Sequence, residues 1–348
     1  MGGTADKVAV LGAGSWGTTL AVVAARASRA VALWDRNPER AAAIERERRN
    51  ARFLPDLLLP PSVTVTAEMA AACEGANVVL FVVPTHAMRE TAAAFARLGV
   101  APVVASAAKG LERGSLLRMT ETIAAAAPHL PPARIAAVSG PNLASEIAAG
   151  QAAATVVAAT DPDAAETIRA ALMTNRFRLY THDDVVGVEI GGALKNVIAL
   201  GAGMGDALAA GDNAKAAFVT RGLAEIARLG VALGANPLTF AGLAGIGDLI
   251  ATCASPLSRN RRAGQMLAGG MSAAAVQERL GQVAEGIATA DAAWELGRRL
   301  GVDLPITEQV RAVVWEGKPP LAAVADLMGR DPRHELAGIA PGHGKAGW

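Results

Sequence analysis

Six Lys stand against 27 Arg in this 348-residue chain, so the positions that keep a Lys invite a chemical reading. Lys195 sits in Gly191-Gly192-Ala193-Leu194-Lys195-Asn196, an apolar helix start where an ammonium group costs stability unless it is used. It is either a buried, pKa-shifted Lys able to move a proton or a Lys that snorkels to the surface. Lys109 follows the apolar run Val103–Ser106 and precedes Gly110. That position borders the crevice at the C-terminal ends of parallel strands, unless it is a solvated loop Lys. Ser258-Arg259-Asn260 follows Pro256 and opens a helix, and helix-start amides with a guanidinium make an anion site suited to phosphate. Arg261 and Arg262 read as solvated neighbours.

A second constellation lies at the N-terminus. Gly12-Ala13-Gly14-Ser15-Trp16-Gly17 matches G-x-G-x-x-G, directly after the apolar run Val8–Leu11 and at the start of a helical stretch. The first Gly permits the tight turn, the second a close approach of pyrophosphate, the third close helix–strand packing. In that context the motif predicts dinucleotide binding. Asp35 lies 18 residues after Gly17, where an acid accepts from a ribose 2′-hydroxyl and favours NAD. Arg36 beside it would pair with a 2′-phosphate and favour NADP. The choice between NAD and NADP stays open, as does a bland reading of Asp35 as a cap near the next helix. Gly140-Pro141-Asn142-Leu143-Ala144 joins another strand to a helix, with Asn142 open to reading as an N-cap. Asp248, after Gly245-Ile246-Gly247, also fits an N-cap, and Glu285 an ordinary first-turn acid. Arg221 and Glu225 at i,i+4 predict a helix-surface ion pair.

The elements that would position these groups divide the chain in two. Apolar runs at Val8–Leu11, Val31–Trp34, Val63–Thr66, Val78–Val83, Val103–Ser106, Ile135–Ser139, Thr155–Ala158 and Phe177–Tyr180 alternate with helical stretches. That pattern predicts a mainly parallel, doubly wound α/β sheet covered on both faces. Beyond about Asp183 the β-branched runs stop, and helices are expected at 184–208, 213–233, 258–268, 272–280, 284–300 and 305–316. The expected division is a dinucleotide-binding domain over 1–185, an all-helical domain over 186–330 and a poorly packed tail over 331–348 with Pro332 and Pro341.

Composition bounds the function. Net charge is +1, which gives no electrostatic reason to expect nucleic acid or an anionic membrane. Charged residues are 19% and hydrophobic ones 52%, against a largely disordered chain. Cys73 and Cys253 form no metal spacing or disulfide framework, which favours a reducing compartment. The five His are scattered, so no metal site is expected. The uncharged stretches Val8–Ala25 and Leu229–Gly247 are broken by Gly and Pro, so neither reads as a membrane helix. The N-terminus has no basic segment followed by a cleavable apolar one, and Asp6 spoils a myristoylation pattern. A cytoplasmic protein without membrane insertion is expected, with a homodimer open to it.

These motifs together resemble the bacterial NAD(P)-dependent glycerol-3-phosphate dehydrogenases over about Val8 to Ile306. The likeness rests on GAGSWGTTLA at 12–21, VVPTHAMRE at 82–90, SAAKGLE at 106–112, SGPNLASEIAAG at 139–150 and GALKNVIALGAGMGDAL at 192–208. It continues through NAKAAFVTRGLAE at 213–225, AGIGDLIATCASPLSRNRRAG at 244–264 and VAEGIATA at 283–290. The resemblance implies a Rossmann-type domain followed by an all-α domain, as in 6-phosphogluconate-dehydrogenase-like proteins. It implies reduction of dihydroxyacetone phosphate to sn-glycerol 3-phosphate, which feeds phospholipid synthesis. It makes Lys195 the acid/base, Lys109 a contact to substrate and nicotinamide, and Asp248 a substrate contact that bonds Lys195. It puts substrate at Gly140, Asn142, Ser258, Arg259 and Asn260. It puts cofactor at Gly12, Gly14, Ser15, Trp16, Gly17, Asp35, Arg36, Lys109, Ala144, Arg259, Val283 and Glu285. Asn142 departs from the family's usual Ser or Thr. A related two-domain β-hydroxyacid or ketopantoate-type dehydrogenase is the alternative, and the phosphate block at 258–260 argues against it.

Overall fold

Uncharged Val, Ala and Leu runs form strands whose alternate residues reach opposite faces of one sheet. In the computed structural model, which describes residues 7–332, 334–335 and 337–339, the strands are β1 (Lys7–Leu11), β2 (Ala30–Trp34), a small pair β3 (Arg49–Asn50) and β4 (Leu54–Leu58), β5 (Val63–Thr66), β6 (Val78–Phe81), β7 (Val103–Ser106), β8 (Ile135–Ser139), β9 (Ala153–Ala158) and β10 (Phe177–His182). The main sheet has the order β10-β9-β8-β7-β6-β1-β2-β5. Its pairs are parallel except β8 with β9.

The helices of this part are α1 (Ser15–Arg26), α2 (Pro38–Glu47), α3 (Met69–Cys73), α4 (Met88–Ala96), α5 (Met119–Ala126), α6 (Ala144–Ala148) and α7 (Pro162–Leu172). Val8, Val10, Leu33, Leu80 and Val138 pack on one face with Leu20 of α1 and Ile168 of α7. Ala9, Leu11, Val79, Phe81 and Val104 pack on the other with Phe95 of α4 and Ile123 of α5. The link from β8 to β9 carries only the five-residue α6. Arg26 and Thr19 of α1 donate to carbonyls of α6, which ties it to α1, and the chain returns antiparallel.

The chain divides into two units. The first holds residues up to Ala108 together with Met119–Val185, and the second holds Lys109–Arg118 together with Val186 onward. The segment Lys109–Arg118 thus belongs with the helical unit, which the strand–helix pattern did not set apart. Of the expected tail, residues 333, 336 and 340–348 lie outside the described residues.

The second unit is built round α8 (Val185–Ala207). By length and composition this helix could cross a bilayer, but 94% of its apolar window is buried inside the protein, as befits a core helix. Around it lie α9 (Asp212–Ala232), α10 (Asp248–Ala254), α11 (Arg259–Ala268), α12 (Ala273–Leu280), α13 (Glu285–Leu300), α14 (Pro305–Glu316) and α15 (Pro320–Met328). Gly264 lets α11 touch the backbone of α8, since a Cβ there would sit 2.0 Å from the Leu200 carbonyl oxygen. Sequence patterning did not mark α15 or the short turns Pro237–Ala241 and Leu243–Gly247, and it marked α10 only as the helix that Asp248 could cap; Asp248 is instead its first residue.

The expected Arg221–Glu225 ion pair is corrected. Arg221 donates to the Glu335 carbonyl, while Glu225 turns inward, 1% exposed, and accepts from the amides of Ile306 and Thr307 and from the Thr307 hydroxyl. A carboxylate at the start of α14 meets free amides and the positive end of the helix dipole, which a surface Arg cannot match. Burial nevertheless pushes its carboxyl up to about 7, against those hydrogen bonds. An acid with a raised folded pKa loses stability as pH rises from its unfolded value through the folded one. Urea titrations should therefore show the stability advantage of the protein over Glu225→Gln shrinking between about pH 5 and pH 7; an advantage that grows with pH contradicts the assignment.

Candidate functional site

In the first unit, β1 lies between β6 and β2 at the point where strand order reverses, the usual place for a ligand crevice. Gly12 has φ +122, and a Cβ on it would lie 2.5 Å from the Val82 carbonyl oxygen at the end of β6. A Cβ on Gly17 would lie 1.8 Å from the Gly12 carbonyl oxygen, so this turn admits only glycine at both positions. Around Gly14, by contrast, a Cβ would meet nothing within 4 Å. No side chain caps the first turn of α1, which leaves the amides following Gly14 to an incoming anion. Ser15 and Trp16 open that turn. Trp16 packs edge-on to Phe177 with ring centroids 6.4 Å apart, and its buried indole N–H has no partner among the described residues.

Gly140 follows β8 and lies against Thr155 of β9. Asn142 does not cap α6: its Nδ2 donates to Thr155 Oγ1 at 3.1 Å, and Thr155 in turn donates to the Ser139 carbonyl at 2.8 Å. That leaves Asn142 Oδ1 buried and unpartnered, a second polar atom in want of a ligand. Ala144 begins α6, and its carbonyl accepts from Thr19 of α1 at 3.1 Å. The open space at Gly14, the uncapped helix start and the two orphaned polar atoms fit a dinucleotide. Asp35, at the end of β2, is buried and bonded to Arg40 of α2, while Arg36 is exposed.

In the second unit the chemistry centres on one carboxylate. Asp248 starts α10 and is 1% exposed. Its Oδ1 accepts from Lys195 Nζ at 2.7 Å and its Oδ2 from Lys109 Nζ at 2.6 Å. Lys195 Nζ also donates to Thr252 Oγ1 at 2.7 Å, one helical turn along α10. Gly191, one turn before Lys195 on α8, brings the two segments together: a Cβ there would lie 2.5 Å from the Ala244 carbonyl oxygen. Burial raises the Asp248 carboxyl, but the two ammonium groups outweigh it and hold the carboxyl below its ordinary range. Burial pushes the Lys109 ammonium down to about 8, opposed by Asp248 and assisted by Lys195.

A second network supports the first. Asn196, next to Lys195, donates through Nδ2 to the Lys109 carbonyl at 3.2 Å and accepts at Oδ1 from Asn260 Nδ2 at 2.8 Å. Asn260 Oδ1 accepts from the Gly286 amide at 3.0 Å, which ties α11 to the start of α13. Ser258 caps α11 by accepting from the Arg261 amide. Ser258 and Asn260 therefore hold the frame, and Arg259 between them is exposed, with one guanidinium N–H on the Val283 carbonyl at 3.1 Å. Glu285 begins α13 beside that carbonyl. Thr252 and Asn196 were missed as site residues in the sequence; only their helical offsets from Asp248 and Lys195 signal them. Among the described residues no group of His, Cys, Asp and Glu could hold a metal.

Profiles of the N-terminal and C-terminal domains of NAD-dependent glycerol-3-phosphate dehydrogenase match residues 7–165 and 184–325. The glycerol-3-phosphate dehydrogenase [NAD(P)+] of Frankia casuarinae is 50% identical over 330 residues, covering 94% of this chain and 98% of its own. That of Streptomyces griseus is 49% identical over 333 residues, covering 94% and 98%. The crystal structure of glycerol-3-phosphate dehydrogenase from Coxiella burnetii superposes with a TM-score of 0.90 at 36% identity, covering 94% of this chain and all of that one. The chain belongs to the NAD-dependent glycerol-3-phosphate dehydrogenase family.

Proposed function

We propose that the protein interconverts dihydroxyacetone phosphate and sn-glycerol 3-phosphate using NAD(H) or NADP(H). The observation that carries the mechanism is the buried Asp248 carboxylate bracketed by Lys195 and Lys109. Two ammonium groups on one carboxylate leave a net positive charge in a site screened from water, suited to a developing alkoxide. The Gly12–Gly17 turn would hold the dinucleotide, which when bound would supply or accept the hydride.

Lys195 delivers the proton to the carbonyl oxygen in reduction and removes it in oxidation, with Asp248 and Thr252 fixing its Nζ. Lys109 supplies the second positive charge and orients the substrate through the same carboxylate. Arg259 and the start of α11 take the phosphate, where a guanidinium and helix amides act together. Asn142 Oδ1 offers an acceptor to a hydroxyl or amide of the bound ligands. The two free, buried cysteines support a reducing compartment, and hence the cytoplasm. A homodimer remains the simplest assembly to test by sedimentation.

Initial-rate kinetics with dihydroxyacetone phosphate should show oxidation of NADH or NADPH, and none with non-phosphorylated keto acids; the reverse preference refutes the phosphate site. Arg259→Ala should raise KM for dihydroxyacetone phosphate by roughly 10- to 100-fold, the loss of a charged hydrogen bond, with the melting temperature little changed. An unchanged KM removes Arg259 from the phosphate site. Because burial pushes the Lys109 ammonium down to about 8, kcat/KM should fall as pH rises through that value. Lys109→Met should be slow at every pH and lack this limb, and its persistence would assign the limb elsewhere.

A further inference from the structure

The acid expected to read the adenosine ribose is already engaged. Asp35 Oδ2 accepts from Arg40 Nε at 2.5 Å, and Oδ1 from Arg40 Nη2 at 2.5 Å and from the Asn37 amide at 2.9 Å. The Asp35 side chain is 1% exposed and that of Arg40 31%. Arg40 is fixed from the other side as well, since its amide donates to Asn37 Oδ1, the cap of α2, at 2.8 Å. A carboxylate has about four lone-pair sites, and three of these are filled. The fork geometry is the strong, bidentate kind. Arg36 stands exposed on the same turn and makes no hydrogen bond or ion pair among the described residues. Glu39, the other acid of the segment, is exposed, so solvent screens it.

An open acid at the end of β2 accepts a ribose 2′-hydroxyl and repels a 2′-phosphate. Here the acid's charge is cancelled from within the fold, one lone pair remains for a hydroxyl, and a guanidinium waits outside. We propose that Arg40 sets the cofactor range of this chain: by neutralising Asp35 it admits a 2′-phosphorylated adenine dinucleotide alongside the unphosphorylated one. Arg40 is a positioning residue, acting through Asp35 rather than on the hydride transfer. The proposal rests on the reading of the first unit as the dinucleotide site.

The test is direct binding of NADPH and NADH to the full-length protein by titration calorimetry, without substrate. Arg40→Gln removes the guanidinium that offsets the Asp35 carboxylate, so NADPH affinity should fall about tenfold, or about 1.4 kcal/mol, while NADH affinity stays within about twofold. The double variant Asp35→Asn with Arg40→Gln removes both charges and should recover NADPH binding. Arg40→Lys keeps the charge and should retain most of it, which guards against a Gln variant that fails to fold. Equal weakening of both cofactors, an unchanged ratio in Arg40→Gln, or no recovery in the double variant would overturn the proposal; the last result would mean that Arg40 meets the phosphate itself. If the unaltered protein binds neither cofactor, the dinucleotide reading fails instead.

Discussion

The site in the helical unit is organised by the burial of one carboxylate between two ammonium groups. Burying the Asp248 carboxylate, 1% exposed, in an apolar interior is costly without partners, and so is placing two ammonium groups beside it without a counter-charge. The cost is met only because each oxygen receives its own donor. That demand explains otherwise odd local structure. The turn Leu243–Gly247 departs from regular helix at Gly245, with φ −100 and ψ −105, just before Asp248. Gly191 admits that turn against α8, and the Asn196–Asn260 bridge holds the backbone of Lys109 in place.

Much of the fold is written in local pattern. Uncharged runs such as Val78–Phe81 and Val103–Ser106, bounded by turn residues, read as strands buried on both faces, and the Gly12–Gly17 spacing announces its turn. Lys195 stood out because an apolar helix rarely carries a lone ammonium. What could not be read depends on partners distant in sequence. Lys109 and Asp248 are 139 residues apart, and nothing near Lys109 says that its ten-residue segment folds with helices that begin at Val186. Asn260 was read only with the phosphate block at 258–260, and its bonds to Asn196 and to the Gly286 amide, 64 and 26 residues away, were not legible. Glu225 looked like a surface partner for Arg221 because i,i+4 spacing ignores which face of α9 is buried. Asp35 and Arg40 are five apart across a strand end and a helix start, a spacing that no helical rule couples.

A chain with 3% aromatics must build its core by close approach rather than by bulk. Small residues let backbones meet, as where α11 crosses α8 at Gly264. Such contacts tolerate little added volume. Functional groups on these helices therefore inherit part of their precision from backbone-to-backbone packing, as at Gly191 and Gly264.

The placement of Lys109–Arg118 bears on modularity. Nearly all of the helical unit is one continuous stretch, and a biologist dividing the gene would cut it near residue 186. That fragment would carry Asp248 and Lys195 but leave one carboxylate oxygen facing nothing, and Leu111 and Leu116, which belong to the helical core, would be lost with it. The second half of this chain is thus no transplantable cassette. Recombination or circular permutation of that half would have to keep a ten-residue excursion from the first half.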